Sequence, residues 1–356
     1  MWTARRDAPE DKGDMGAMIK PKVLALISAS RNKWFYTDRM RELLQSVADP
    51  TYTVYDERLT SSQLAAQIGD CDALLTGWGT PQLTREVLEA ARRLRVVCHA
   101  GGSVRFLLPE PPSEFFRRGI GLSSATPVMS RYVAEHTLSM AISVLRRVPF
   151  YRDRMKETSD WWGKHDCPHP SDTIIGQRVG MVGLGMITWE FVRMVKPFDC
   201  QLFAFTKHGD AERAAREGVA LVELDELMST CPIVCLFAAV RPDTIRMIDA
   251  RRLNLMPDGG VIINTARGKL IDEPALIEEL KTGRLWAGLD VTDPEPPAAE
   301  SPLRTLPNVL LTPHVGGPTP TRYWEFVEYA INDMCRFLAG EPLLGEVNET
   351  RLAGMA

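Results

Sequence analysis

The sequence lacks an excess of either charge. Among its 356 residues, 42 Lys and Arg face 46 Asp and Glu, for a net charge of −4. No basic surplus is available to neutralise a phosphate backbone, so nucleic acid is not expected as the main partner. Long hydrophobic runs are also missing: the longest are strand-sized, short of the ~18 residues of a membrane span, and no membrane partner is expected. The segment from Met1 to Lys22 is polar and mixed in charge, without the apolar centre of a signal peptide. A disordered leader is expected over residues 1–18. The seven cysteines, an odd number at scattered spacing, form no disulfide pattern and read as small buried hydrophobes in a reducing cytoplasm. Repeats and low-complexity tracts are absent. His165, Cys167 and His169 alternate, but three ligands within five residues make poor tetrahedral geometry, and no metal site is expected.

What the chain does contain is an alternation of short apolar runs with amphipathic stretches, the pattern of α/β layers on parallel sheets. A first block carries strand-like runs at Val23–Ile27, Tyr52–Tyr55, Ala73–Thr76 and Val96–His99. Helical stretches lie near Thr37–Val47, Ser61–Ile68 and Thr84–Ala91, the last with Thr84 as a cap. Arg131–Phe150 reads as a helix apolar nearly all round, fit for burial between domains or subunits. Tyr151–Ser171, with Trp161 and Trp162, reads as a connection. A second block carries six strand candidates: Arg178–Val182, Gln201–Phe205, Ile233–Phe237, Val261–Asn264, Trp286–Asp290 and Val309–Leu311. With right-handed crossovers this is a doubly wound Rossmann sheet. A last helix, about Thr319–Leu338, is placed to return to the first block. The expected division is a substrate domain at 19–125 and 318–356, a smaller α/β unit, and a dinucleotide-binding domain at 126–317.

Strand Arg178–Val182 runs into Gly183-Leu184-Gly185-Met186-Ile187-Thr188 and then a helix. Gly183 permits the tight turn, and Gly185 lets the backbone approach a pyrophosphate. The free N–H groups where Met186 and Ile187 open the helix stabilise an anion. Thr188 stands where the fingerprint has its third glycine, so the helix is expected slightly farther from the strand. An ordinary tight βα turn is the plainer reading of a lone GxG. The second strand ends at Thr206, Lys207 and His208, where a NAD site usually carries an acid. A hydroxyl and an ammonium suit a 2′-phosphate better, so NADP is favoured over NAD. The alternative is a solvated lysine beside a NAD site without its acid.

Three stretches end the last three strands, where ligands sit in such sheets. They carry Arg267, then Asp290 to Glu295, then His314. Hydride transfer to a 2-keto acid needs this set. Arg267 would hold the substrate carboxylate bidentately. His314 would give a proton to the carbonyl oxygen, and Glu295 would favour and orient the charged imidazole. Singly, each reads as a salt-bridged arginine, a loop charge or a turn histidine. Their convergence on one sheet edge favours chemistry. Trp34, Trp78 and Trp324 read as core or as walls of the substrate mouth.

These stretches make the chain similar to the D-isomer-specific 2-hydroxyacid dehydrogenases. The resemblance is carried by Val179 to Gly185, Ile263 to Gly268, Gly288 to Val291, Glu295-Pro296 and Leu306 to His314. It implies reversible NAD(P)-dependent reduction of a small 2-keto acid, such as glyoxylate or hydroxypyruvate, to the D-2-hydroxy acid. It implies Arg267, Glu295 and His314 as the catalytic set and Asp290 facing the nicotinamide amide. Ala266 and Gly316 would line the cofactor, with Ala238 beside the adenosine. Backbone N–H groups of Ala100, Gly101 and Gly102 would bind the substrate carboxylate. A homodimer is implied through the helix Arg131–Phe150, whose Ala134-Glu135 would lie near the cofactor. Ala238 to Arg241 depart from the family's usual Pro-Leu-Thr turn, and Gly101-Gly102-Ser103 from its alternating glycines. Two other readings share the architecture: a formate- or phosphite-type dehydrogenase, and an NAD(H)-sensing corepressor-like binding protein.

Overall fold

A computed structural model of the chain describes residues 20–55, 59–157, 167 and 169–353. The expected leader, Trp161, Trp162 and His165 lie outside the described residues. Five strands form one parallel sheet: β1 (Lys22–Ser28), β2 (Asp49–Tyr55), β3 (Ala73–Thr76), β4 (Val96–His99) and β5 (Gly121–Ser124), in the order β2-β1-β3-β4-β5. Seven form the other: β6 (Arg178–Val182), β7 (Gln201–Phe205), β8 (Val219–Leu221), β9 (Ile233–Leu236), β10 (Val261–Asn264), β11 (Trp286–Leu289) and β12 (Val309–Leu311). Their order, β12-β11-β10-β9-β6-β7-β8, is the doubly wound dinucleotide order with one added edge strand. The central strands are buried on both faces, as parallel strands flanked by helices must be.

Two strands escaped the sequence reading. β5 spells GLSS and β8 only VAL, too short and too poor in β-branched or aromatic residues to stand out. A second correction concerns Tyr151–Ser171, expected as a connection. Val148–Glu157 is helical and follows the long helix Thr126–Leu145 almost directly. That long helix buries Val133, Ala134, Met140, Ala141 and Val144 on one face, four of them in the core of the second sheet. Leu138 and Ile142 on its flank are only partly covered. Thr84 does precede the helix Arg85–Ala90, but its buried hydroxyl makes no cap bond.

The helix Trp324–Leu338 packs Phe326, Val327, Ala330, Ile331 and Met334 into the same core as Val23, Ala25, Leu75 and Cys98 of the first sheet. The chain thus ends on the sheet where it began. Asp333 anchors this return: its carboxylate accepts from Ser123 on β5 and from the N–H groups of Leu344 and Gly345. All seven cysteines are unpaired, and no helix among the described residues is long and apolar enough to cross a membrane. The described residues contain no cluster of three metal-ligating side chains; Cys167 donates to the His169 carbonyl.

Candidate active site

The order of the second sheet reverses between β6 and β9, so the loops after these strands face one another. They meet closely: Gly183 has φ +101°, and a Cβ there would stand 2.7 Å from the Ala238 nitrogen. Only glycine meets both demands. A cleft of about 240 Å³ opens here, lined by Gly183, Leu184, Gly185, Thr206, Lys207 and Ala238, among others. A Cβ on Gly185 would meet nothing within 4 Å, which leaves the helix Met186–Val195 approachable from its N-terminus. Met186 is partly exposed at the first turn, while Ile187 packs against the core; neither borders the cleft.

Thr188, in the third glycine's place, is fully buried. Its hydroxyl donates to the Gly183 carbonyl at 2.9 Å and accepts from the Gly185 N–H at 3.3 Å. The threonine clips the glycine turn to the helix. These features, a glycine turn, an open helix N-terminus and a cleft at the switch point, fit a dinucleotide.

The cations expected at the end of β7 are there, with a partner that sequence reasoning missed. Lys207 Nζ lies 2.7 Å from Asp243 Oδ2, and both residues line the cleft. Asp243 comes from the turn after β9, thirty-six positions away, which no local pattern reveals. Arg241 lines the same cleft.

At the other end, β10, β11 and β12 deliver three loops bonded to one another. Asn264, fully buried, donates to the Arg267 carbonyl and accepts from the Ala266 N–H. Asp290 N–H donates to the Asn264 carbonyl, and His314 N–H donates to the Asp290 carbonyl. Gly268 lets the first two loops touch, because a Cβ there would stand 2.1 Å from Thr292 backbone. Thr137 of the long helix bonds Thr265 at 2.7 Å and pins the helix to the arginine loop.

His314 Nδ1 lies 2.5 Å from Glu295 Oε1. The imidazole is 46% and the carboxylate 42% exposed, so both are open to solvent. Arg267 is half-buried with Nη1 on the Ala266 carbonyl. Burial holds its pKa below the ordinary value, and the nearby Glu295 carboxylate opposes that shift. The expected imidazole, carboxylate and guanidinium therefore share one neighbourhood.

Asp290 is buried and saturated. Its Oδ1 accepts from Thr312 Oγ1 (2.6 Å) and Val315 N–H (2.9 Å), and its Oδ2 from Gly316 N–H (2.9 Å). Burial alone would push this carboxyl up. Hydrogen bonds from His136, Thr312, Val315 and Gly316 outweigh it and hold the pKa at about 2. In this structure Asp290 fixes the turn that carries His314, which sits in the left-handed region at φ +53°. His136, on the long helix, approaches the same carboxylate at 3.4 Å and was not picked out from the sequence. Its sequence signal is its place directly after Ala134-Glu135, which the resemblance sets near the cofactor.

The expected substrate loop follows β4 directly. Ala100 N–H donates to the Thr76 carbonyl and Gly101 N–H to the His99 carbonyl, so the fold uses both. Of the three expected donors, Gly102 alone keeps its N–H free of such a bond. Met129 lies against both this loop and Gly317. A Cβ on Gly102 would lie 3.3 Å from its Cε, and one on Gly317 3.2 Å from its Sδ. Trp78 stands beside the loop, edge-on to Phe35, Tyr323 and Phe326. Trp34 and Trp324 lie under cations, Lys33 and Arg39.

A family profile described as "D-isomer specific 2-hydroxyacid dehydrogenase, NAD binding domain" matches residues 138–316. The chain belongs to that family. It is 34% identical over 263 residues to D-3-phosphoglycerate dehydrogenase of Methanocaldococcus jannaschii, covering 73% of this chain and 48% of that protein. It is 30% identical over 286 residues to glyoxylate reductase of Thermofilum pendens, covering 78% and 82%. The chain spans about half the length of the phosphoglycerate dehydrogenases it matches. The solved structure of Rhodotorula graminis D-mandelate dehydrogenase shares the fold, with TM-score 0.79 at 24% identity over 93% of this chain and 98% of that one.

Proposed function

We propose that the protein reduces a small 2-keto acid, such as glyoxylate or hydroxypyruvate, reversibly to its D-2-hydroxy acid with a nicotinamide dinucleotide. The observation that carries this reading is the 2.5 Å contact between His314 Nδ1 and Glu295 Oε1. It occupies one ring nitrogen and leaves Nε2 for a substrate oxygen. The bound nicotinamide supplies or accepts the hydride. Arg267 holds the substrate carboxylate in a planar, two-point contact. As negative charge develops on the carbonyl oxygen, His314 delivers a proton from Nε2. Glu295 stabilises the imidazolium and fixes the ring. In the oxidative direction, neutral His314 takes the hydroxyl proton at the same nitrogen. Asp290 acts through the His314 turn, and the Gly102 N–H is the loop donor still available to substrate.

The cofactor reading is NADP or NAD: Lys207 and Arg241 at the adenosine end of the cleft favour a 2′-phosphate, and Asp243 on the same rim opposes one. A homodimer through the long helix is supported by partly covered Leu138 and Ile142 and by exposed Val148 and Met155 on the following helix. A reducing, cytoplasmic setting suits seven unpaired thiols. A panel of 2-keto acids, with phosphite and formate, assayed with NADH and NADPH separately, tests the reading. Turnover on a short 2-keto acid is expected. Nucleotide binding with no turnover on any substrate would overturn it.

A further inference from the structure

The cation expected to attract a 2′-phosphate does not stand free. Lys207 Nζ is 2.7 Å from Asp243 Oδ2, and Asp243 is the one carboxylate among the residues lining the cleft. Its placement is built rather than incidental. Thr244 Oγ1 accepts from the Arg241 N–H at 2.7 Å and donates to the Ala239 carbonyl at 2.8 Å, which shapes the turn from 239 to 244. That turn sets Asp243 across from the end of β7 and places Arg241 on the same rim. Neither ion pair nor side-chain hydrogen bond engages the Arg241 guanidinium among the described residues. Lys207 and Arg241 against Asp243 leave the rim with one net positive charge.

We infer that Asp243 is the residue that sets cofactor choice, acting as an internal anion on Lys207 that a 2′-phosphate must displace. The inference rests on the dinucleotide reading above and deepens it. A ribose 2′-hydroxyl can donate to the Asp243 carboxylate in place, so NADH leaves the pair intact. A phosphate in the same place carries its charge against that carboxylate and competes with it for Lys207. Arg241 then supplies the second cation. The usual acid at the end of the second strand is absent, and its work is done from the opposite loop, by a carboxylate already paired to a lysine.

Dissociation constants for NADPH and NADH, read from nucleotide fluorescence on the full chain, test this. Asp243→Asn keeps the shape and removes the charge. It should tighten NADPH by about tenfold and move NADH by less than about threefold, the scale of one unit charge at a wet rim. Asp243→Ala should shift the NADPH/NADH ratio in the same direction. In the Lys207→Ala background the effect of Asp243→Asn on the ratio should shrink, since the two groups act through one contact. Binding of both nucleotides with an unmoved ratio in both Asp243 variants would overturn the inference alone. Failure of the unaltered protein to bind either nucleotide would overturn the dinucleotide reading and the inference with it.

Discussion

Beside His314, Asp290 is buried and takes hydrogen bonds from two side chains and two backbone N–H groups, while at the end of β7 Lys207 and Asp243 meet with about half of each side chain in water. The first arrangement is a network in which every loop bonds the next, from Asn264 through Asp290 to His314. The second is one contact between long and short side chains on a rim. Buried, saturated groups lose much when one partner goes, whereas exposed pairs contribute little to stability. On the proposed reading, the chemistry is fixed by the fold and cofactor choice is adjustable on its surface.

The largest expected effect lies at the fixed end. His314→Ala should lower the reductive rate about 10²–10⁴-fold, the usual worth of a positioned proton donor, with nucleotide affinity little changed. Steady-state kinetics beside nucleotide fluorescence would check both halves. A middle-sized effect is expected for Asp290→Asn. An amide cannot accept from all of its present donors, so stability should fall by about 1–3 kcal/mol and turnover with it. The effect has a pH signature. The Asp290 carboxyl is held down at about 2, so its contribution is fully present above the ordinary carboxylate range and is lost as pH falls through about 2. The stability gap between the unaltered protein and Asp290→Asn should therefore narrow on acidification from about pH 4 to pH 2, as read by chemical denaturation. The smallest effect belongs to the rim. Lys207→Ala should leave the melting temperature within about 2 °C while weakening NADPH more than NADH. A large loss of stability there would erase the contrast between the two ends.

The residues legible in the sequence were those whose placement follows from chain order. Arg267, Glu295 and His314 each follow a β-strand, and a parallel sheet brings strand ends to one edge whatever the side chains do. The glycine turn at Gly183 was legible for the same reason. What stayed hidden was contact between distant segments. Asp243 reaches Lys207 from the turn after β9, and His136 reaches Asp290 from a helix far earlier in the chain. No local spacing encodes either meeting. Backbone occupancy was hidden too: only the fold shows that the Ala100 and Gly101 N–H groups are already bonded to Thr76 and His99. Thr188 looked like a lost glycine and proved to be a buried clip, because its hydroxyl finds the two backbone groups that the turn leaves open.

Co-crystallisation with NADPH and oxamate, an unreactive mimic of a 2-keto acid, tests the convergence of the three side chains most directly. The oxamate carboxylate should lie on the Arg267 guanidinium, with its amide oxygen within hydrogen-bond reach of His314 Nε2 while Nδ1 stays on Glu295. Oxamate bound away from these side chains, or His314 turned from Glu295 in the complex, would contradict the account.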